Sequence, residues 1–169
     1  NNILNELYET NFFKDIKTSF KDQVLTIQIE ENPIIGNIKF TGIKAKKIKN
    51  FISLDLKLKP RSSFNIFLLE NDKEKIKNSL KDLGYYASTI EVFLEEHSDN
   101  IVNISYKINL GNKAKIKRIT INGNKIFKDN KLKSIIISEE YKFWKFISGK
   151  KYLNEKMILF DTRLLRNFY

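Results

Sequence analysis

Apolar and polar residues alternate with two different periods along this chain, and the periods trade places several times. In Val24-Leu25-Thr26-Ile27-Gln28-Ile29 every second residue is apolar, the period of a half-buried strand. The same alternation runs through Ile90, Val92 and Leu94, and again through Val102, Ile104, Tyr106 and Ile108. The polar stretch Glu95 to Asn100 between these two predicts a hairpin loop. Phe13 to Phe20 is a weaker strand with Ile16, Thr18 and Phe20 on one face, joined to the Val24 strand through Lys21-Asp22-Gln23. From Asn65 to Leu83 the period changes: Ile66, Leu69, Ile76, Leu80 and Leu83 step by three, four and seven, one face of a helix. The side chain of Asn65 is suited to cap its start, and Gly84 to stop it in a left-handed conformation. A shorter helix is expected over Lys46 to Asp55, followed by a connection at Pro60 to Ser63.

These segments repeat. Ile38-Lys39-Phe40-Thr41-Gly42 recurs 81 residues later as Ile119-Thr120-Ile121-Asn122-Gly123, each reading as a short strand that ends at glycine and leads into a helix. Asp72, Ile76, Leu80 and Gly84 step by four along one helix, and Asp161, Leu165 and Tyr169 repeat the step. Ile3, Leu7 and Asn11 carry the same spacing, with asparagine at the glycine position because it tolerates the left-handed conformation. An aromatic pair follows in both places, Phe12-Phe13 and Tyr85-Tyr86. The unit is therefore strand, helix, helix, strand, strand. The expected division is the C-terminal part of a first unit (1–32), a complete second unit (33–111) and the N-terminal part of a third (112–169).

Composition narrows the chemistry. The chain has 169 residues, no cysteine and one histidine, so disulfides and thiolate zinc sites are excluded. Asn1 to Glu6 has neither a basic nor an apolar region of a signal peptide, so a targeting segment is expected outside this sequence. The longest apolar runs are a few residues, far short of a membrane-spanning helix. His97 lies in Glu95-Glu96-His97-Ser98-Asp99-Asn100, which reads better as a solvated hairpin tip than as a metal site. The net charge is +11, which invites a nucleic-acid reading. Arginine, however, occurs only at 61, 118, 163 and 166, and the excess of lysine, asparagine and isoleucine matches AT-rich codons. No serine has a histidine partner, and no glycine-rich phosphate loop is present. Asp72 and Asp161 occupy equivalent positions in two units, which favours a structural role over a carboxylate pair. Gly42, Gly84 and Gly123 mark chain reversals. Trp144, beside Phe143 and Phe146, reads as a partner contact or, more readily, as a core filler between the helices of the third unit.

The order of elements resembles the polypeptide-transport-associated, or POTRA, domain, and the residues resemble the BamA family in particular. Glu31-Asn32-Pro33 through Gly42 is similar to that family's E-N-P-x-I-x-x-I-x-F-x-G linker. Gly111 to Gly123-Asn124 is similar to its glycine-to-G-N spacing, with Leu110 in place of an acid. Phe143-Trp144-Lys145-Phe146 with Lys151-Tyr152 resembles an aromatic segment of the family, and Leu164 to Tyr169 its L-R-x-Y/F-Y. Gly42 is followed by Ile43 where asparagine is common, and the last two strands of the third unit are absent from the sequence.

The resemblance implies an α+β fold of tandem POTRA repeats, each βααββ with a three-stranded mixed sheet covered on one face by two helices. It implies the sheet order second, third, first strand. The second strand is then a free edge: Thr89, Ile90, Glu91, Val92, Phe93 and Leu94 in the second unit, and about Lys14 to Phe20 in the first. Such an edge can add an extended client strand through its backbone, unless charges such as Glu91 and Lys17 blunt it. The implied role is a non-enzymatic, cofactor-free binding module on the periplasmic face of the bacterial outer membrane. Its implied partners are unfolded outer-membrane β-barrel proteins and accessory assembly lipoproteins, with no nucleic acid and no small-molecule substrate. Contact with the membrane would come only through a barrel absent from this chain. The alternatives are a POTRA scaffold of a related autotransporter or division protein, and a basic nucleic-acid-binding domain.

Overall fold

The computed structural model describes residue 10, residues 12–144 and residues 149–169. Ile3, Leu7, Asn11 and Phe146 lie outside the described residues. The chain divides into two compact units, one running to Ile76 and including Ile90–Asn109, the other comprising Lys77–Thr89 and Leu110–Tyr169.

The first unit opens with a hairpin of β1 (Phe13–Lys21) and β2 (Val24–Glu31). Its turn is two residues, Asp22 and Gln23, with Lys21 paired to Val24. Both turn residues have positive φ, 50° and 65°, as the right-handed strand twist requires of a two-residue turn. Asn32 N–H closes the base on Phe12 C=O at 2.8 Å. The chain then enters β3 (Ile34–Thr41), the helix α1 (Lys46–Ser53), the helix α2 (Ile66–Asp82), β4 (Thr89–His97) and β5 (Ile101–Asn109). The sheet order is β3-β5-β4, with β3 parallel to β5. Only three residues join β4 to β5, so that pair is antiparallel. This is the expected βααββ order and mixed sheet.

One face of the sheet is the core. Val102, Ile104, Tyr106 and Ile108 are buried while Ile101, Asn103, Ser105 and Lys107 are not, as strand alternation dictates. Ile35, Ile43, Ile52, Leu56, Leu58, Leu69 and Ile76 are buried as well, and Phe40 stacks on Tyr106 with ring centroids 5.3 Å apart. Asn65 caps α2 as expected, its Oδ1 accepting from Phe67 N–H at 2.8 Å. The apolar stripe of α2 is shorter than its spacing predicts: Ile66, in the first turn, is 50% exposed. Leu94 departs in the same way at 41% exposed. Both lie on the wall of an open cavity of about 350 Å³, with Pro33, Phe64 and Val102, instead of inside the closed core.

In the second unit Leu80 is fully buried and Gly84 ends α2 with φ +91°. Tyr85 N–H returns to Leu80 C=O at 2.8 Å, satisfying a carbonyl that the helix end would leave open. The chain continues through a short helix α3 (Asp129–Lys133), a 3-10 turn (Gly149–Lys151) and α4 (Glu155–Phe168). Gly123 has φ +81°, matching Gly42 at +82°. The strand expected at Ile119–Asn122 is not formed. Ile119 and Ile121 are half-buried between exposed neighbours, and among the described residues the segment joins no strand ladder. In the 33–111 segment the equivalent strand is laddered to β5.

Candidate strand-addition edge

Strand β4 holds the edge position opposite β3. Its side chains divide as alternation predicts at Thr89, Glu91 and Phe93, which are exposed, and at Ile90 and Val92, which are half-buried. Among the described residues no backbone hydrogen bond other than those of its ladder with β5 reaches residues 89–97. The other edge is partly covered at its start. Ile35 N–H donates to Ser62 C=O at 2.9 Å and Arg61 N–H donates to Ile35 C=O at 2.7 Å, while Ile34 bridges to Ser63. A sheet with one edge partly closed by its own loop and the other uncovered presents β4 as the longer open ladder.

The Glu91 carboxylate does not point across that opening. Lys107 Nζ, on the neighbouring β5, sits 3.0 Å from Glu91 Oε2 and 5.8 Å from the centre of the Phe93 ring. Glu91 is thereby drawn over the exposed face of the sheet towards β5, which weakens the reading of Glu91 as a guard. His97 closes the strand, its Nε2 2.9 Å from Asn103 Nδ2, in the place expected of a hairpin tip.

The buried carboxylates have structural partners. Asp72 is wholly buried and accepts from Lys57 N–H and Leu58 N–H, the latter at 2.8 Å. Asp161 accepts from Ile137 N–H at 2.6 Å and from Ser138 N–H. Each aspartate ties the connection that precedes its helix to that helix. Seven residues before each stands an N-cap asparagine, Asn65 and Asn154, the latter accepting from Met157 N–H at 3.0 Å. Tyr106 is buried with its hydroxyl unpaired, and burial pushes that hydroxyl's pKa up, with Asp72 and Glu70 adding to the shift. No group of three or more metal-ligating side chains occurs among the described residues.

The core reading of Trp144 is overturned. Trp144 is 58% exposed and Phe143 76%, the two rings meeting edge to face at 4.7 Å. Their stretch, Glu139 to Trp144, follows α3 and forms neither helix nor strand.

Residues 33–111, which contain the sheet and both helices, match the family model described as "POTRA: Surface antigen variable number repeat". They are a POTRA domain. The chain is 30% identical over 170 residues to the outer membrane protein assembly factor BamA of Buchnera aphidicola, covering 99% of this chain and 28% of that protein. It is 28% identical to BamA of Neisseria meningitidis, covering 99% of this chain and 21% of that one. The chain thus spans well under half of the curated relatives it matches. The crystal structure of Haemophilus influenzae BamA POTRA3-5 has the same fold, with a TM-score of 0.51, 14% identity and coverage of 98% of this chain and 66% of that one. The POTRA domain here is of the kind carried by BamA-type assembly factors. No helix among the described residues is long and apolar enough to cross a membrane.

Proposed function

We propose that this chain is a periplasmic binding arm of an outer-membrane β-barrel assembly factor, and that its POTRA domain receives extended client strands along β4. The observation that carries the reading is the uncovered β4 edge in a POTRA domain whose sheet is buried on the opposite face. Main-chain pairing supplies affinity with little regard to client sequence, which suits a module that meets many unfolded barrel strands. The module binds and does not catalyse, and it needs no cofactor. Phe143 and Trp144 form a second contact, for an accessory subunit, because a paired exposed aromatic surface supplies large apolar area at low entropic cost.

The test is photo-crosslinking of an unfolded barrel-protein peptide to single probes placed from residue 87 to residue 94. Adjacent strand residues point their N–H groups to opposite sides, so of Ile90→Pro and Glu91→Pro one removes an outward donor and the other a ladder donor to β5. The first should lose crosslinks while keeping its fold; the second should lose stability. Glu91→Gln should crosslink like the wild type. Absent crosslinks along the whole strand of a folded protein would remove β4 as the client site.

A further inference from the structure

Several lysines of this chain are held by carboxylates, as in Lys14–Glu30, Lys107–Glu91, Lys133–Glu140 and Lys156–Asp82. Lys113 and Lys115 are held by rings instead. Lys113 Nζ lies 5.0 Å from the centre of the Tyr85 ring and 5.2 Å from that of Tyr152. Lys115 Nζ lies 4.1 Å from the centre of the Tyr141 ring. Among the described residues neither lysine has an ion-pair partner. A ring face orients an ammonium but carries no net charge, so it fixes the group without neutralising it. No Asp or Glu occurs between Asp99 and Asp129 to supply a counter-charge from the same stretch. Glu140, next to Tyr141 in sequence, is committed to Lys133 Nζ and Ile119 N–H.

The rings and the lysines share a firm base. Tyr141 and Tyr152 both pack against the buried Lys151, whose ammonium lies 5.6 and 5.5 Å from their centres. Tyr141 N–H donates to Ile116 C=O at 2.7 Å, Ile116 N–H to Lys151 C=O at 2.9 Å and Leu153 N–H to Ala114 C=O at 2.9 Å. Lys115 and Tyr152 thereby form an antiparallel bridge. Residues two apart on an extended backbone share a face, and both lysines line one open cavity of about 630 Å³ with Tyr85, Asn112 and Tyr152. The same kind of bridge joins Ile34 to Ser63, and Ile34 stands 81 residues before Lys115. Ile34 is 42% exposed in the 33–111 domain, where all three strands of the sheet are formed. The position therefore faces solvent in this fold even with its sheet formed.

We propose that Lys113 and Lys115 bind an acidic segment of a partner protein in extended form, with carboxylates at alternate positions. Side chains two apart on an extended chain stand roughly 6.5–7 Å apart on one face, and the two lysines have that spacing on theirs. Each carboxylate meets one ammonium, and the tyrosine rings receive the methylenes beside it. Lysines already held over rings lose less side-chain freedom on pairing than mobile ones, so the surface is organised before its partner arrives. It uses neither β4 nor the Phe143–Trp144 pair, so it stands or falls apart from both of those contacts.

The experiment is fluorescence anisotropy of labelled synthetic peptides titrated with the purified 169-residue chain. One peptide carries glutamate at every second position among threonines. Its control carries the same number at every third position, which sends neighbouring carboxylates to opposite faces. The first should bind about two- to fivefold more tightly, the worth of a second ion pair, and less tightly as salt is raised. Lys113→Gln and Lys115→Gln should each remove about that factor with unchanged circular dichroism. Lys125→Gln, the same charge change at an exposed position outside the cavity, should leave affinity as it is. Amide shifts on titration should centre on residues 84–86, 111–116 and 151–153. Inorganic phosphate and phosphatidylglycerol vesicles are the rival anions. Equal affinity for the two peptides, an equal loss in Lys125→Gln, or displacement of the peptide by an equal concentration of phosphate or of vesicles would overturn the proposal.

Discussion

Replacing Asp72 tests the claim that a buried carboxylate holds the helix–helix connection of the POTRA domain. Its two oxygens accept from two consecutive backbone N–H groups, Lys57 and Leu58, at 2.8–3.0 Å, and Asp72 is fully buried. An unsatisfied buried donor costs roughly 1–3 kcal/mol. Asp72→Asn keeps one carbonyl oxygen and turns an amide NH2 towards the other donor, so it should cost about 1–3 kcal/mol. Asp72→Ala strands both donors and should cost roughly 2–6 kcal/mol, a large share of the ~5–15 kcal/mol of a typical domain. The partly exposed Lys75, whose Nζ is 3.9 Å from Asp72, is a control: Lys75→Met should cost at most about 1 kcal/mol. Urea denaturation followed by circular dichroism gives the ranking. Amide exchange at residues 57 and 58 localises it, because those two protons should exchange faster in both Asp72 variants before the rest of the domain does. If Asp72→Asn matched the wild type within about 0.5 kcal/mol, with unaltered exchange at 57 and 58, the tether would carry no stability and the argument would be refuted.

Four further outcomes follow from particular positions. Gly42 and Gly123 share a left-handed φ, but a Cβ at Gly42 would lie 2.0 Å from Ile108 C=O while one at Gly123 meets nothing within 4 Å. Gly123→Ala should therefore lose only the ~1–2 kcal/mol of the conformation, and Gly42→Ala clearly more, in the same denaturation assay. Gln23, at φ 65° in the hairpin turn, should be improved by Gln23→Gly by up to about 1 kcal/mol, read as slower amide exchange across β1 and β2. Tyr106→Phe removes a buried, unpaired hydroxyl and should leave the domain as stable or more stable by about 1–2 kcal/mol; a clear loss would mean the hydroxyl is satisfied. Glu140 accepts from Lys133 Nζ at 2.8 Å and from Ile119 N–H at 3.0 Å, which hold its carboxyl below the usual carboxylate range. Its folded-state pKa is the depressed one, so its contribution to stability is present above the unfolded value and fades as pH falls through the folded value. NMR titration should show the Glu140 pKa rising towards the ordinary range in Lys133→Met.

Features that near neighbours along the chain decide can be read directly from the residues. The alternation in Val102 to Ile108 needs only the two-residue repeat of a strand, so its buried face was legible from the spelling. The Asn65 cap and the Gly84 stop depend on local backbone groups, and both stand where the residues place them. Features that depend on a distant partner are set by the fold. Ile119-Thr120-Ile121 has the pattern of a strand, yet a strand is a pairing, and, among the described residues, 117–122 make no backbone–backbone hydrogen bond. Ile66 and Leu94 have the spacing of core residues, but burial ends where the covering elements end, and both lie at that limit. The equivalence of Asp72 and Asp161 was visible in the repeat, whereas the backbone donors they hold lie 14 to 24 residues away in a connection whose path no periodicity specifies. The aromatic cluster was mistaken for core for a related reason. Trp144 is apolar enough to be buried, but whether it is depends on which surface the chain carries past it.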